Sequence, residues 1–151
     1  MNDLERAKRM LRENAALSCI LCRGELLYTS EKRGIAPMME LLDAGYEMKG
    51  FSAADRIVGR AAAMLFVLAG VRSVYAEVMS EGALQTLSAY AIEASYGTLT
   101  PYIVNRKGNG PCPMEEAVRD ITEPEAAREA IRMTMDRLRT QNGRSDTQSN
   151  I

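Results

Sequence analysis

The residues with the clearest chemical potential in this 151-residue chain are a cysteine and the carboxylate that follows it. Cys112 lies between Pro111 and Pro113, and Glu115 comes three residues later. Proline is typical of the first position of a helix, so the run predicts that Cys112 lies at or next to a helix N-cap. A thiol there feels the positive end of the helix dipole, which favours the nucleophilic thiolate. Cys112 and Glu115, the latter as a proton carrier, are therefore the candidate catalytic residues.

A structural role for the same cysteine remains open. The chain contains no histidine, so no imidazole can serve as a general base beside the thiol. Two carboxylates, Glu115 and Glu116, fall in the first helical turn and oppose formation of a thiolate. Free cysteines are also frequently buried in proteins. The alternative interpretation of Cys112 is therefore a half-buried structural residue at a turn.

The loop before this motif is a candidate ligand-binding segment. It contains Asn105, Arg106, Lys107 and Gly108, and a predicted helix start follows it. Glycines and cations ahead of a helix can surround a phosphate or carboxylate with backbone N–H groups. The same composition is found in ordinary loops that bind nothing, so both interpretations stand.

Three further candidates lie at predicted helix starts. We interpret Ser52 and Asp55 as a capping box that opens a helix over 52–69, with Asp55 placed to bind an amine or hydroxyl. Ser80 and Glu81 open the next predicted helix, where a hydroxyl and free backbone amides can hold a polar group. Helix capping explains Ser52, Asp55 and Ser80 equally well without any ligand.

Two other cysteines, Cys19 and Cys22, have Cys-x-x-Cys spacing. They fall in a predicted strand, where side chains three residues apart point to opposite faces. We therefore do not expect their sulfurs to converge on a metal. Three cysteines, an odd number, fit reduced thiols better than a disulfide framework.

The hydrophobic periodicity predicts alternating helices and strands. The predicted helices cover 3–14, 35–44, 52–69, 80–91, 113–121 and a final segment from residue 122, and the predicted strands cover 17–21, 26–29, 73–79 and 98–104. This order predicts an α/β fold, a three-layer α/β/α sandwich with a mixed sheet of about four to five strands. We expect one domain over 1–140 and a disordered tail over 141–151.

Composition excludes several classes of partner. Nineteen basic and twenty acidic residues give a net charge of −1, so no strong field attracts nucleic acid. The longest uncharged apolar run, 61–71, is too short to span a bilayer, and no export signal is recognisable at the start. We expect a cytoplasmic protein that interacts with neither nucleic acid nor membrane.

Two segments carry a resemblance to a known family. These are Asp55-Arg56-Ile57-Val58-Gly59-Arg60-Ala61-Ala62-Ala63 and Asn105-Arg106-Lys107-Gly108 through Pro111-Cys112-Pro113-Met114-Glu115. With the order of elements, they resemble a small uncharacterised bacterial family with a cytidine deaminase-like fold, over residues 3–121. The resemblance implies the fold without the chemistry. Deaminases hold zinc through His-x-Glu and Pro-Cys-x-x-Cys at two helix starts, whereas the predicted starts here are Ser52-Ala53-Ala54-Asp55 and Ser80-Glu81-Gly82-Ala83.

Three functional hypotheses follow. The first is a zinc-free deaminase-like domain, without deaminase activity or cofactor, that binds a small polar or nucleotide-like ligand. Its predicted ligand-binding residues are Asp55, Ser80, Glu81, Asn105, Arg106, Lys107 and Gly108. The second is a cysteine-dependent enzyme with Cys112 as nucleophile and with Glu115 or Asp55 as the proton carrier. The third is an interaction protein without catalysis, in the form of a homodimer or other homo-oligomer.

Overall fold

The computed structural model describes residues 1–105 and 107–149, with side chains up to residue 141. The helices of this part of the chain are α1 Asp3–Glu13, α2 Ala36–Asp43, α3 Arg60–Ala69, α4 Glu81–Ala89, α5 Pro113–Val118 and α6 Pro124–Ser149. The strands are β1 Cys19–Arg23, β2 Leu26–Ser30, β3 Ser52–Val58, β4 Ser73–Ser80 and β5 Glu93–Thr100.

The five strands form one mixed sheet in the order β2-β1-β3-β4-β5. β1 runs antiparallel to β2 and β3, whereas β3, β4 and β5 are mutually parallel. On one face, Ala7 and Leu11 of α1 pack against Ile20 and Ala54. The larger core occupies the other face, where α3 lies against α4, α5 and α6. The predicted α/β sandwich with a mixed sheet is confirmed.

The predicted helix over 52–69 is wrong, because its first half is β3 and only its second half is helical. Ala53 packs in the larger core and Ala54 in the smaller one, so small side chains let this strand lie between two layers. The predicted capping box is therefore wrong as well. Ser52 accepts a hydrogen bond from the Ser73 hydroxyl across the sheet at 2.8 Å. Alanine-rich sequence favours a helix locally, and burial of both faces overrides that preference.

The last strand also lies elsewhere than predicted. β5 ends at Thr100, whereas the prediction placed the strand over 98–104. Parallel pairing with β4 fixes its position, starting with Ser73 opposite Glu93. Val104 instead forms an isolated bridge with Pro111. Since β5 is an outer strand with many exposed residues, its hydrophobic pattern is weak.

The final helix continues to Ser149, and Ala127 and Ile131 of its predicted inner face are buried. The backbone of residues 141–149, which make up most of the predicted disordered tail over 141–151, belongs to α6, and residues 150 and 151 lie outside the described residues. Among the described helices, none has both the length and the apolar character needed to cross a membrane.

The three parallel strands share a local irregularity. In each, two side chains five residues apart pack against the same core: Ala53 and Val58, Val74 and Met79, Ala94 and Leu99. Side chains of a regular strand alternate, so such pairs would face opposite sides. The alternation therefore shifts by one position at the same level of all three strands. Gly97 lies at this level, where an added Cβ would be 2.9 Å from the carbonyl oxygen of Glu77.

Candidate functional site

The candidate site lies where β3 and β4 end side by side, with Val58 paired to Met79. α3 begins directly after Gly59, and α4 begins directly after Ser80. An added Cβ on Gly82 would lie 3.8 Å from Cβ of Arg60, so the two helix starts are neighbours. We call residues 58–61 and 79–82 the carboxyl edge. Free backbone amides at helix starts make such an edge the usual ligand side of an α/β sheet.

Glu115 reaches this edge from α5. Its carboxylate accepts hydrogen bonds from the backbone N–H groups of Arg60, at 2.6 Å, and Ala61, at 2.8 Å. Gly59 provides the space, because a Cβ there would lie 2.2 Å from Oε1 of Glu115. The N-cap position Gly59 has no side chain to cap α3, so Glu115 supplies the cap. A carboxylate of the chain itself thus occupies the positive end of α3.

The environment of Glu115 acts on its ionisation in two directions. Burial raises the pKa of the Glu115 carboxyl, and the hydrogen bonds from Ala61 and Arg60 oppose that rise. The guanidinium of Arg60 also donates to the carbonyl oxygen of Ile121, which ties α3 to the segment after α5. The predicted proton carrier is therefore held against α3 by two backbone amides.

Ser80 and Glu81 lie on the carboxyl edge, as their predicted helix start requires. The hydroxyl of Ser80 accepts a hydrogen bond from the N–H of Ala83 at 3.0 Å and is buried. It is the N-cap of α4, which confirms the predicted cap. Glu81 is exposed in the first turn of that helix. Of these two side chains, Glu81 is the one that reaches solvent.

Asp55 does not open a helix, and that prediction is corrected by its place within β3, opposite Cys19 of β1. It is 7% exposed and accepts a hydrogen bond from the N–H of Arg56 at 2.7 Å. Burial raises its pKa to about 7, although hydrogen bonds from the Arg56 and Ile57 amides and the Cys19 thiol act in the opposite direction. A carboxyl of this kind can gain or lose a proton near neutral pH.

The nearest cation along the chain does not form an ion pair with Asp55. The guanidinium of Arg56 contacts the carboxylate of Glu77 at 2.5 Å and the carbonyl oxygens of Leu17 and Leu11 at 3.0 and 2.9 Å. Cys19 faces Asp55, and burial followed by the nearby Asp55 charge raises the pKa of its thiol. Asp55 and Cys19 form a buried pair in which the protonated states are favoured.

The loop before α5 is closed by hydrogen bonds among its own residues. The N–H of Asn105 donates to the carbonyl of Gly110 at 2.8 Å, and the N–H of Gly108 donates to the carbonyl of Asn105 at 3.0 Å. The N–H of Asn109 donates to the Asn105 side chain at 3.2 Å. These three amides are thus engaged within the loop. Lys107 is exposed, and Arg106 lies outside the described residues.

The cysteines occupy three different environments. Cys112 is the N-cap residue of α5, is half-buried and makes no side-chain cap, so its predicted position is confirmed. Cys19 packs in the larger core and Cys22 in the smaller one, which confirms that they lie on opposite faces. Within the described part of the chain, no group of three or more His, Cys, Asp or Glu residues is placed to hold a metal ion.

Sequence reasoning missed the contact between Glu115 and the start of α3, since 54 residues separate Glu115 from Ala61. One local signal existed. Gly59 precedes an apolar, alanine-rich helix that has no Ser, Thr, Asp or Asn in the capping position. A helix start without a local cap needs a partner from elsewhere.

These features define an α/β protein with an open mixed sheet, two adjacent helix starts at its carboxyl edge and a carboxylate bound to one of them. The chain belongs to the domain of unknown function family DUF1893, which matches residues 6–135. It is similar to the crystal structure, at 2.70 Å resolution, of a DUF1893 family protein (TM1506) from Thermotoga maritima. The two are 27% identical, the alignment covers 91% of each chain and the TM-score is 0.77. No curated protein matches the chain.

Proposed function

We propose that this chain is a zinc-free domain with a cytidine deaminase-like fold that binds a small polar or nucleotide-like ligand and does not deaminate it. The ligand binds at the carboxyl edge, next to the starts of α3 and α4. The observation that carries the proposal is the carboxylate of Glu115 on the amides of Arg60 and Ala61, because it marks this edge as a place that binds an oxyanion.

The residues at the carboxyl edge favour binding over hydrolytic chemistry. The chain has no histidine, and the helix starts read Gly59-Arg60-Ala61 and Ser80-Glu81-Gly82. None of these side chains except Glu81 is an ordinary zinc ligand. A deaminase needs three ligands and a proton-carrying glutamate around one activated water. Two glutamates, Glu81 and Glu115, reach this edge, but its side chains do not supply the three zinc ligands.

The bound state of Glu115 sets the chemistry of the ligand. A phosphate or carboxylate group of the ligand replaces Glu115 on the two amides, because the start of α3 favours a negatively charged group whether the chain or the ligand supplies it. Displaced from α3, Glu115 becomes free to accept a hydrogen bond from an amine or hydroxyl of the same ligand. Glu81, already exposed on the neighbouring helix, can do the same.

The test is a titration of the full chain with cytidine 5′-monophosphate and, separately, with inorganic phosphate, followed by calorimetry and backbone amide NMR shifts. We expect the shifts to centre on residues 59–61 and 80–83. Glu115→Gln removes the competing charge and should tighten phosphate binding, whereas Glu116→Gln, in the same helical turn, should leave it unchanged. Saturable shifts elsewhere, or none with either probe at millimolar concentration, would contradict the proposal.

The cysteine-dependent enzyme remains a prediction with one supporting observation. Cys112 is half-buried at a helix start, and its thiol does not cap that helix. Glu115, its proposed proton partner, is engaged with α3. A catalytic role for Cys112 would therefore require the same displacement of Glu115 that ligand binding requires. Homo-oligomer formation also remains a prediction, and sedimentation of the purified chain would test it.

A further inference from the structure

A concave surface separate from the carboxyl edge lies between the outer strand β2 and α2, and β1 separates β2 from β3 in the sheet. It is a pocket of about 350 Å³, within the size range of small-molecule sites. Tyr28, Pro37, Leu41 and Tyr46 form much of its lining, together with Glu40. No residue of the carboxyl edge lines it, so it is a separate site.

The aromatic part of this pocket is held in place from behind. The ring of Tyr28 stacks on Phe51 with centroids 5.2 Å apart, and its hydroxyl donates to the carbonyl of Glu47 at 3.2 Å. Tyr46 meets Tyr28 edge-on, at 5.1 Å and an interplanar angle of 69°. Tyr46 is nevertheless 52% exposed. A fixed tyrosine thus supports a second one whose ring is open to solvent, and such ring faces attract cations.

The lining of the pocket contains one acidic side chain. Glu40 is the one ionisable acid or base among its lining residues apart from the tyrosines. Its carboxylate already forms an ion pair with the ammonium of Lys32, a residue that does not line the pocket. The two side chains are 53% and 61% exposed, so this ion pair is weak and can be exchanged.

We propose that the pocket between β2 and α2 binds a small organic cation with an apolar body. The ammonium group of the ligand takes the place of Lys32 at Glu40, and the body lies against Tyr46, Pro37 and Leu41. Charge complementarity selects a cation, because Glu40 is the one charged side chain of the lining and its present partner, Lys32, lies outside the lining. This site is independent of ligand binding at the carboxyl edge.

The experiment uses the full chain and a matched pair of probes, phenethylammonium chloride and the neutral 2-phenylethanol, with binding followed by backbone amide NMR shifts. The cation should shift residues 28–30 and 37–46, and the alcohol should bind at least about threefold more weakly. Glu40→Gln should weaken binding of the cation about three- to tenfold, as expected for one partly exposed charge pair.

Two further variants test whether the affinity for the cation changes in the expected direction. Lys32→Gln removes the internal competitor and should tighten binding of the cation, while Glu31→Gln, an exposed carboxylate outside the pocket lining, is the control and should leave the affinity unchanged. The proposal is overturned if the alcohol binds as tightly as the cation, if Lys32→Gln weakens binding, or if no shifts appear at residues 28–30 and 37–46 up to tens of millimolar probe.

Discussion

Asp55 makes the stability of this protein depend on pH in a direction opposite to that of most carboxylates. Its pKa is raised to about 7 from the ordinary 3.8 of an unfolded aspartate. The folded protein therefore holds a proton that the unfolded chain releases between these two values. The contribution to stability is fully present below pH 3.8 and is lost as the pH rises through about 7.

The size of the effect follows from the same two values. One pKa unit corresponds to about 1.36 kcal/mol, so the loss between pH 5 and pH 7 is about 2–3 kcal/mol. Asn cannot ionise and has nearly the shape of the protonated acid. The free energy of unfolding of Asp55→Asn, measured relative to wild type, should therefore rise by that amount between pH 5 and pH 8.

Urea unfolding followed by circular dichroism at pH 5, 6, 7 and 8 measures this difference, provided that the m-value stays constant. Taking the difference between the two proteins removes the titration of all groups they share. The control is Asp120→Asn, which removes a solvent-exposed carboxyl and should follow the wild type at every pH. A difference that stays flat for Asp55→Asn, or that changes in favour of the wild type as pH rises, would refute the argument from burial.

Three further predictions concern the other features of the fold. Gly59→Ala should lower the free energy of unfolding by about 1–3 kcal/mol, because its Cβ collides with the carboxylate that caps α3. In the same urea experiment Gly82→Ala, which lies in α4 with room for a Cβ, should leave it unchanged or raise it by up to about 1 kcal/mol. Gly97→Ala should cost about 1–3 kcal/mol for a similar reason, since its Cβ meets a backbone carbonyl of β4 that cannot rotate away; an unchanged midpoint would contradict this. In native protein, iodoacetamide should modify Cys112 first, and Cys19 and Cys22 should react only on unfolding, as mass spectrometry of timed digests would show.

Much of the fold is readable from local signals. The helix start at Ser80 and the N-cap at Cys112 follow from residues within three positions of each other, and the structure confirms both. The placement of Cys19 and Cys22 on opposite faces follows from strand geometry alone. Each of these features depends on backbone chemistry that neighbours in sequence determine.

The features that sequence reasoning missed depend on contacts between distant segments. The run from Ser52 to Val58 has helical propensity, and only its place between two buried layers makes it a strand. Asp55 then changes from a helix cap to a buried acid, which no local pattern reveals. The link between Glu115 and α3 was missed for the same reason, because nothing near Gly59 identifies the partner.

The capping of α3 by Glu115 has a consequence for the order in which the protein can fold. During synthesis, Ala61 leaves the ribosome well before the carboxylate that satisfies its amide, which lies 54 residues later. The first turn of α3 therefore depends on a long-range contact, and such contacts slow folding. In a nascent chain that stops short of Glu115, the first turn of α3 should remain frayed. Once the C-terminal third has been synthesised, Glu115 should stabilise this turn.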